Sequence, residues 1–213
     1  MDKYEDRSDA GEVLATHLKE VIGNIEHGIV LALPRGGVPV ADKIAKKFRL
    51  PLNVLVVRKL GHPENPEFAI GAIASGGGKI IHLDKVSRLN ISQSQMEKVI
   101  EKEKEKLEKR ERLYNKERKP LDLEGKRVIL VDDGIATGAS MQVAIEVLKD
   151  MDPSEIIVAV PVAPQKSLSK ISKMVDKVEC PLQPRLFGAI GRFYNKFGQT
   201  SNEEVKEILS QYP

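Results

Sequence analysis

Two adjacent carboxylates stand at the end of an apolar run and are followed at once by small residues and hydroxyls. The segment is RVILVDDGIATGAS, residues 127–140. Asp132 and Asp133 come directly after the run, and the turn behind them leads into a predicted helix. In an open α/β sheet, ligands bind at the carboxyl ends of the strands, so both acids are placed to contact a ligand.

The turn that follows the acids has the composition of a phosphate site. A helix N-terminus carries partial positive charge and unsatisfied N–H donors, which suit a phosphate. Thr137 and Ser140 add hydroxyl donors, and Gly138 lets phosphate oxygens approach the backbone. The predicted cradle consists of Ala136, Thr137, Gly138, Ala139 and Ser140.

Carboxylates beside a phosphate cradle would repel the phosphate unless the ligand also carries hydroxyls and a divalent cation. Carboxylates accept hydrogen bonds from vicinal sugar hydroxyls and can hold the waters of an Mg²⁺ shell. A ribose 5-phosphate with free 2- and 3-hydroxyls has the required groups. The plainer hypothesis is a strand that ends in an acidic turn and an N-capped helix.

The segment VILVDDGIATGAS closely resembles the phosphoribosyl pyrophosphate (PRPP) motif of type I phosphoribosyltransferases. It departs from the motif at Gly134, where many members carry an aliphatic residue. The resemblance implies an α/β fold with a mostly parallel central sheet flanked by helices. It also implies that Asp132 and Asp133 hold the ribose and, through water, Mg²⁺, with PRPP, a nucleobase and pyrophosphate as partners.

A second strand-turn-helix pattern, LALPRGGVPVA at residues 31–41, contains two adjacent glycines. It resembles the pyrophosphate loop of the family and is nearest to that of xanthine–guanine phosphoribosyltransferases. The resemblance implies that Arg35 and the amides of Gly36 and Gly37 hold the diphosphate. It also implies a non-proline cis peptide, here expected at Arg35–Gly36. The alternative is a glycine turn before a helix with a surface arginine.

Basic residues open the polar segment RKLGHPENPE, which follows another apolar run. The segment resembles the start of the flexible catalytic loop in orotate phosphoribosyltransferases. The resemblance implies that Arg58, Lys59 and His62 supply positive charge to the diphosphate leaving group; an ordinary basic surface loop is the alternative. Because type I enzymes commonly dimerise so that this basic residue reaches the neighbour's site, it also implies a homodimer.

The C-terminal tail is rich in aromatic residues, although Phe, Tyr and Trp make up only 4% of the chain. Type I enzymes carry a small hood over the acceptor base, and residues 181–213 are expected to form it. Phe187 and Tyr194 are then expected to stack on the base. The alternative is that these rings only pack the tail against the body.

Recognition of the base edge is expected from backbone groups near Val162 and Ala163, which follow a predicted strand. The family's usual base-recognising lysine has no counterpart at this position, since Lys166 comes late for that role. The Arg-Gly-Gly loop favours a purine acceptor over a pyrimidine.

The elements that must position these residues follow from composition and pattern. Hydrophobic residues make up 41% of the 213-residue chain and Trp is absent, so the core must be aliphatic, as is typical of parallel sheets covered by helices. The net charge of +3 is too small to favour nucleic acid or a membrane as partner. The single cysteine, and the lack of a leader-like or bilayer-spanning apolar run, predict a cytoplasmic protein.

Short apolar runs alternate with helical patterns, which predicts a mostly parallel sheet with right-handed crossovers in a single domain over residues 1–213. The predicted strands are residues 28–33, 52–57, 127–131, 155–160 and 176–180, with a hairpin of 68–75 and 79–83. The predicted helices are residues 9–22, 39–48, 94–118, 139–150, 165–174 and a terminal one.

The helix predicted over residues 94–118 is dominated by Glu and Lys, and Ser94 and Glu97 have the spacing of a capping box. Its apolar stripe is narrow, which predicts a solvated helix stabilised by i,i+4 pairs. The alternative is an arm that binds nucleic acid or another partner.

The reaction implied by the resemblance is displacement of Mg-bound pyrophosphate from ribose C1 by a nucleophilic nitrogen. It relies on positioning and electrostatics, and the sequence offers no covalent nucleophile. Two other hypotheses stay open: a regulator that senses PRPP or nucleotides while binding nucleic acid, and an enzyme whose acceptor is not a base. A fold-level resemblance cannot select the acceptor.

Overall fold

The computed structural model describes residues 3–66, 68–114 and 121–212. Its strands are β1 (Gly28–Ala32), β2 (Leu52–Val54), β3 (Val57–Gly61), β4 (Ala69–Ala74), β5 (Lys79–Ile81), β6 (Arg127–Val131), β7 (Glu155–Ala159) and β8 (Lys177–Glu179). Its α-helices are α1 (Arg7–Ile22), α2 (Gly37–Phe48), α3 (Leu83–Arg88), α4 (Gln93–Tyr114), α5 (Ala139–Lys149), α6 (Gln165–Ile171) and α7 (Asn202–Leu209).

The main sheet has five parallel strands in the order β2-β1-β6-β7-β8. Successive side chains of a strand face opposite sides of the sheet, so each face has its own core. On β1, Val30 packs with the helices α1, α2 and α7, whereas Leu31 packs with α5 and α6. The predicted α/β fold with a mostly parallel sheet flanked by helices is confirmed.

A second, antiparallel sheet has the strand order β3-β4-β5. The predicted hairpin of residues 68–75 and 79–83 is therefore confirmed. The prediction of one strand over residues 52–57 is wrong, because β2 ends at Val54 and the chain then leaves the main sheet. Arg58 and Lys59, expected at the start of a loop, pair instead with β4. A continuous apolar run does not reveal that its two ends pair with different sheets.

Helix α4 begins at Gln93, and its cap lies two residues before the predicted one. The Ser92 N–H donates to Gln95 Oε1 at 2.9 Å, and the Gln95 N–H donates to Ser92 Oγ at 3.3 Å. The prediction of a cap at Ser94 is wrong because two overlapping Ser-x-x-Gln/Glu patterns occur here, and the first of them closes the capping box. The last part of the predicted helix, residues 115–118, lies outside the described residues.

One face of α4 is docked on the body of the protein. Leu107 and Tyr114 are buried, and the Tyr114 hydroxyl donates to Asn202 Oδ1 at 2.8 Å. The outer face carries exposed i,i+4 pairs such as Arg112 with Glu108, as the solvated-helix hypothesis predicts. None of the helices within residues 3–66, 68–114 and 121–212 combines the length and apolar character of a membrane-spanning segment.

Candidate active site

The predicted diphosphate loop lies against the two acids that precede the predicted phosphate turn. Both follow neighbouring parallel strands, β1 and β6, whose carboxyl ends share one edge of the sheet. A Cβ atom on Gly36 would overlap Asp133 Oδ2, and one on Gly37 would lie 2.7 Å from the Val131 carbonyl oxygen. The paired glycines therefore permit an approach between the loops that a larger residue would block.

The cis peptide of the diphosphate loop joins Pro34 to Arg35. The prediction of a cis bond at Arg35–Gly36 is thus wrong by one residue. The Arg35 carbonyl accepts from the Val38 N–H at 3.1 Å, and Gly36 has helical dihedrals of φ −59° and ψ −32°. The Arg35–Gly36 peptide therefore belongs to the start of α2.

The phosphate turn is exposed at its tip and braced from behind. Gly138 has a φ of 83°, a left-handed conformation that favours glycine, and α5 begins at the next residue. Ala136, Thr137 and Ser140 are exposed, and Ser167 Oγ on α6 donates to the Ala136 carbonyl at 2.6 Å. The turn therefore presents the N-terminus of α5 to solvent in a fixed position.

A cavity of about 430 Å³ opens between this turn and the second sheet. Its walls include Leu33 and Pro34 from the diphosphate loop and Ala139 from the start of α5. Its polar side chains are Lys59, Arg110, Asp132 and Ser140. Two cationic groups and one carboxylate thus share the cavity with a helix N-terminus, an arrangement that favours an anionic ligand.

The two adjacent acids have different surroundings. Asp132 faces the cavity, and its Oδ1 accepts from the Asp133 N–H at 2.8 Å. Burial, followed by the nearby charge of Asp133, raises the pKa of Asp132. Asp133 is 9% exposed, and its Oδ2 accepts from Arg7 Nε at 2.7 Å. Burial raises the pKa of Asp133 as well, and the guanidinium opposes that rise.

Of the three predicted leaving-group residues, the structure brings Lys59 alone to the cavity. Arg58 is the neighbouring residue on β3 and faces the other side, where it forms an ion pair with Glu103 at 2.6 Å. His62 Nδ1 accepts from the Glu64 N–H at 3.1 Å within the loop after β3. Lys59 lines the cavity of its own chain. A second chain is therefore not needed to bring this lysine to a site.

Residues 2–193 match the family model described as the phosphoribosyl transferase domain. The chain belongs to the phosphoribosyl transferase family. This membership confirms the family that the two glycine-containing loops resemble.

Two curated Mycobacterium tuberculosis proteins, MT0597 and Rv0571c, both carry the provisional name phosphoribosyl transferase. Each is 39% identical to the chain over 211 residues, which cover 99% of this chain and 47% of the relative. The chain therefore spans about half the length of these relatives. The crystal structure of TT1426 from Thermus thermophilus is 37% identical, covers 99% of both chains and superimposes with a TM-score of 0.87.

Tyr194 is buried, contrary to the prediction that its ring is free to stack on a base. It is 3% exposed, and its hydroxyl donates to the Asp133 backbone carbonyl at 2.6 Å. Its ring lies 5.5 Å from that of Tyr4 and 4.9 Å from that of Phe197. Phe187 is half-buried and stacks on Phe193 at 5.3 Å. For Tyr194 the packing alternative describes the structure, because its ring is enclosed.

Val162 and Ala163, predicted to recognise the base through their backbone, are both fully buried. The Val162 carbonyl accepts from the Ile135 N–H at 2.9 Å, and the Ala163 N–H donates to the Leu182 carbonyl at 3.2 Å. These two groups are already paired within the protein, and recognition of a base by backbone groups near Val162 and Ala163 stays a prediction. The tail that covers them also accounts for Gly134: a Cβ there would lie 2.8 Å from Ile190 Cγ2.

The donors in the cavity fit Mg²⁺ only if the ligand supplies part of its shell. Among residues 3–66, 68–114 and 121–212, no group of three or more His, Cys, Asp and Glu could hold a metal ion. Mg²⁺ usually keeps several waters and is held by one or two carboxylates together with substrate phosphates. Asp132 provides such a carboxylate at the cavity wall.

Two arginines of the site were missed by sequence reasoning. Arg7 lies in the first turn of α1, and no pattern in the sequence links it to Asp133. Arg110 was predictable, because it occupies the same face of α4 as Leu107 and Tyr114. Relative to Leu107, Arg110 stands at i+3 and Tyr114 at i+7. A basic residue on the face of a helix that packs against the body predicts an anionic group opposite that face.

Proposed function

We propose that this phosphoribosyl transferase moves the ribose 5-phosphate of PRPP to a nitrogen acceptor and releases pyrophosphate, in an Mg²⁺-dependent reaction. The observation that carries the proposal is the meeting of the glycine-rich diphosphate loop and the phosphate turn at one cavity lined by Lys59 and Asp132. The cavity volume of about 430 Å³ lies within the range of small-molecule sites.

Displacement at ribose C1 develops positive charge on the sugar ring and negative charge on the leaving diphosphate. We propose that the 5-phosphate binds the turn at residues 136–140 and that Arg35, the Gly36–Gly37 amides and Lys59 bind the diphosphate. Asp132 would stabilise the ring and hold Mg²⁺ through water. Bound Mg²⁺ offsets the charge of the leaving group, and the chain's own contribution is positioning and electrostatics.

Asp133 has a different task in this proposal. Arg7 occupies one of its oxygens and Tyr194 its backbone carbonyl, so the residue is held rigidly at the end of β6. A carboxylate has about four lone-pair sites, which leaves capacity for a ribose hydroxyl. Asp133 would therefore position the ribose while Asp132 faces the cation.

We propose a nucleobase as the acceptor, and the Arg-Gly-Gly loop favours a purine. Phe187, which keeps part of its ring exposed, is the remaining candidate for stacking on the base. A nitrogen acceptor other than a base is the second candidate. The observation that favours it is the engagement of the Val162 carbonyl and the Ala163 N–H inside the protein, since a base would have to be recognised elsewhere.

The test is a turnover screen that follows pyrophosphate release from PRPP and Mg²⁺. The acceptors are guanine, hypoxanthine, adenine, uracil, orotate and a panel of primary amines. Release with one or more purines supports the nucleobase proposal, and release with amines alone supports the second candidate. Tight PRPP binding without release for any acceptor would contradict both and favour a PRPP-sensing regulator. Asp132→Asn is the inactive control for contaminating enzymes.

The homodimer implied by the family resemblance is part of the proposal. Multi-angle light scattering is expected to give twice the chain mass of 23.6 kDa. A species of the single-chain mass at micromolar concentration would contradict it. Because Lys59 lies in its own chain's cavity, the dimer is expected to support the site without completing it.

A further inference from the structure

Helix α4 presents one continuous stripe to the body of the protein. The stripe contains four residues on one face of the helix: Glu103 at position i, Leu107 at i+4, Arg110 at i+7 and Tyr114 at i+11. Glu103 binds Arg58 of β3, and Leu107 and Tyr114 are buried. Arg110 is thus flanked along the stripe by residues that fix the position of the helix.

Arg110 differs from the other residues of the stripe because it lines the cavity of the proposed active site. It is exposed, and no side chain in the described part of the molecule forms a hydrogen bond or ion pair with it. Arg112, two residues later, points to the outer face and pairs with Glu108 at 3.5 Å. Within the described residues, the charge that Arg110 brings to the cavity wall therefore has no protein partner.

The cavity has a charge distribution suited to a polyanion. Lys59 and Arg110 come from the second sheet and α4, and they share the cavity with Pro34 of the diphosphate loop. The N-terminus of α5 would offset the charge of the 5-phosphate. The diphosphate carries more negative charge than the 5-phosphate and therefore needs more cationic side chains around it. An arginine also presents a planar fork of donors that matches phosphate oxygens.

We infer that Arg110 contacts the diphosphate of PRPP, so that α4 forms the outer wall of the leaving-group site. The inference rests on the proposed function and deepens it by assigning a residue outside the three loops that define the site. It also gives the charged helix a role that is neither a solvated surface nor an arm for a partner.

The experiment compares ligands that differ in the diphosphate. Calorimetry with Mg²⁺ measures the affinity of the full chain for PRPP, pyrophosphate and ribose 5-phosphate. Arg110→Ala is expected to weaken PRPP and pyrophosphate binding about 10- to 100-fold, the effect of one charge-assisted hydrogen bond, and to change ribose 5-phosphate binding by less than about 2-fold. Arg110→Lys is expected to restore part of the affinity, because it keeps the charge and loses the fork. Arg112→Ala is the matched control and is expected to bind all three ligands like the wild type.

Four results would overturn the inference. An equal loss for ribose 5-phosphate would assign Arg110 to the other phosphate. Unchanged pyrophosphate binding in Arg110→Ala, with the wild type binding normally, would leave the side chain outside the site and the proposed function intact. A lower unfolding temperature that Arg110→Lys does not rescue would make its role structural. A wild-type chain that binds neither PRPP nor pyrophosphate would contradict the proposed function and this inference together.

Discussion

Arg7 Nε, in the first turn of α1, donates to Asp133 Oδ2 at 2.7 Å across 126 residues of sequence. The same guanidinium donates to the Gly198 carbonyl at 2.6 Å and lies 3.9 Å above the ring of Phe197. One side chain therefore joins the N-terminal helix and the C-terminal tail to the second acid of the PRPP motif. The C-terminal tail is therefore anchored on Asp133.

The first prediction concerns this contact. Arg7→Ala is expected to lower the free energy of unfolding by about 3 kcal/mol, because it leaves a buried carboxylate without its cation. Urea denaturation measures the change. Lys43→Ala, which removes an exposed pair with Glu12, is the control and is expected to cost about 0–1 kcal/mol. Equal costs for the two variants would show that the contact with Asp133 has no special weight.

The second prediction concerns the departure from the family motif at Gly134. Gly134→Val is expected to destabilise the fold by about 2 kcal/mol, since its side chain would meet Ile190 of the tail and the Val162 carbonyl. In a chain that already carries Ile190→Ala, the same change is expected to cost less, because one of the two obstacles is gone. Thermal unfolding of the wild type, the two single variants and the double variant gives the coupling energy between positions 134 and 190. If the destabilising effects of Gly134→Val and Ile190→Ala simply add, a contact between positions 134 and 190 is contradicted.

The third prediction tests the docking of α4. Arg58→Met is expected to weaken pyrophosphate binding about 3- to 10-fold although Arg58 does not line the cavity, because its pair with Glu103 holds the helix that carries Arg110. Glu108→Gln, on the outer face, is expected to leave binding unchanged. If Arg58 acted directly on the ligand, its loss would remain as large in the Arg110→Ala background. A positioning role predicts a much smaller effect there.

The fourth prediction separates catalysis from stability at Asp132. Asp132→Asn is expected to abolish Mg²⁺-dependent enhancement of PRPP binding while the fold stays as stable as the wild type or gains stability. The reason is that burial and the neighbouring charge of Asp133 already disfavour its ionised form. Calorimetry with and without Mg²⁺, together with a thermal melt, checks both parts. Asp122→Asn, an exposed acid outside the cavity, serves as the control.

The fifth prediction uses the single cysteine as a probe of folding. Cys180 is 6% exposed, and burial raises the pKa of its thiol to about 12. Because the buried thiol is both shielded from reagent and held in its protonated form, iodoacetamide at pH 8 is expected to label the chain only as it unfolds. Labelling measured by mass spectrometry across a urea series should follow the unfolding curve. Rapid labelling without denaturant would show that the cover over Cys180 opens in the native state.

The local parts of the site were predictable because local chemistry defines them. A buried strand that ends in Asp132 and Asp133, followed by a hydroxyl-bearing turn, predicts a sugar-phosphate site from residue types and spacing alone, and the structure places Asp132 and Ser140 of the turn at the wall of one cavity. The adjacent glycines at Gly36 and Gly37 were likewise visible, and the structure shows that they permit the approach of the loop to the end of β6.

The prediction failed where a pattern had two physical solutions. The apolar run at residues 52–57 is compatible with one strand or with two strands in different sheets, and only pairing with β1 and β4 decides between them. The overlapping capping patterns at Ser92 and Ser94 have the same composition, and the hydrogen bonds of the folded chain select the first.

The amino-acid sequence by itself determined the strands other than β2 and β3, the two glycine loops and the carboxylates, because these depend on residues within one turn or strand of each other. Only the tertiary structure decided which of Arg58 and Lys59 faces the cavity, and that Arg7 and Arg110 join the site. These contacts depend on how β3, α1 and α4 pack, which is set by burial of apolar faces far apart in the chain. Charged side chains on those elements reach the site as a consequence of that packing. The spacing of residues along the chain does not predict their position in the folded protein.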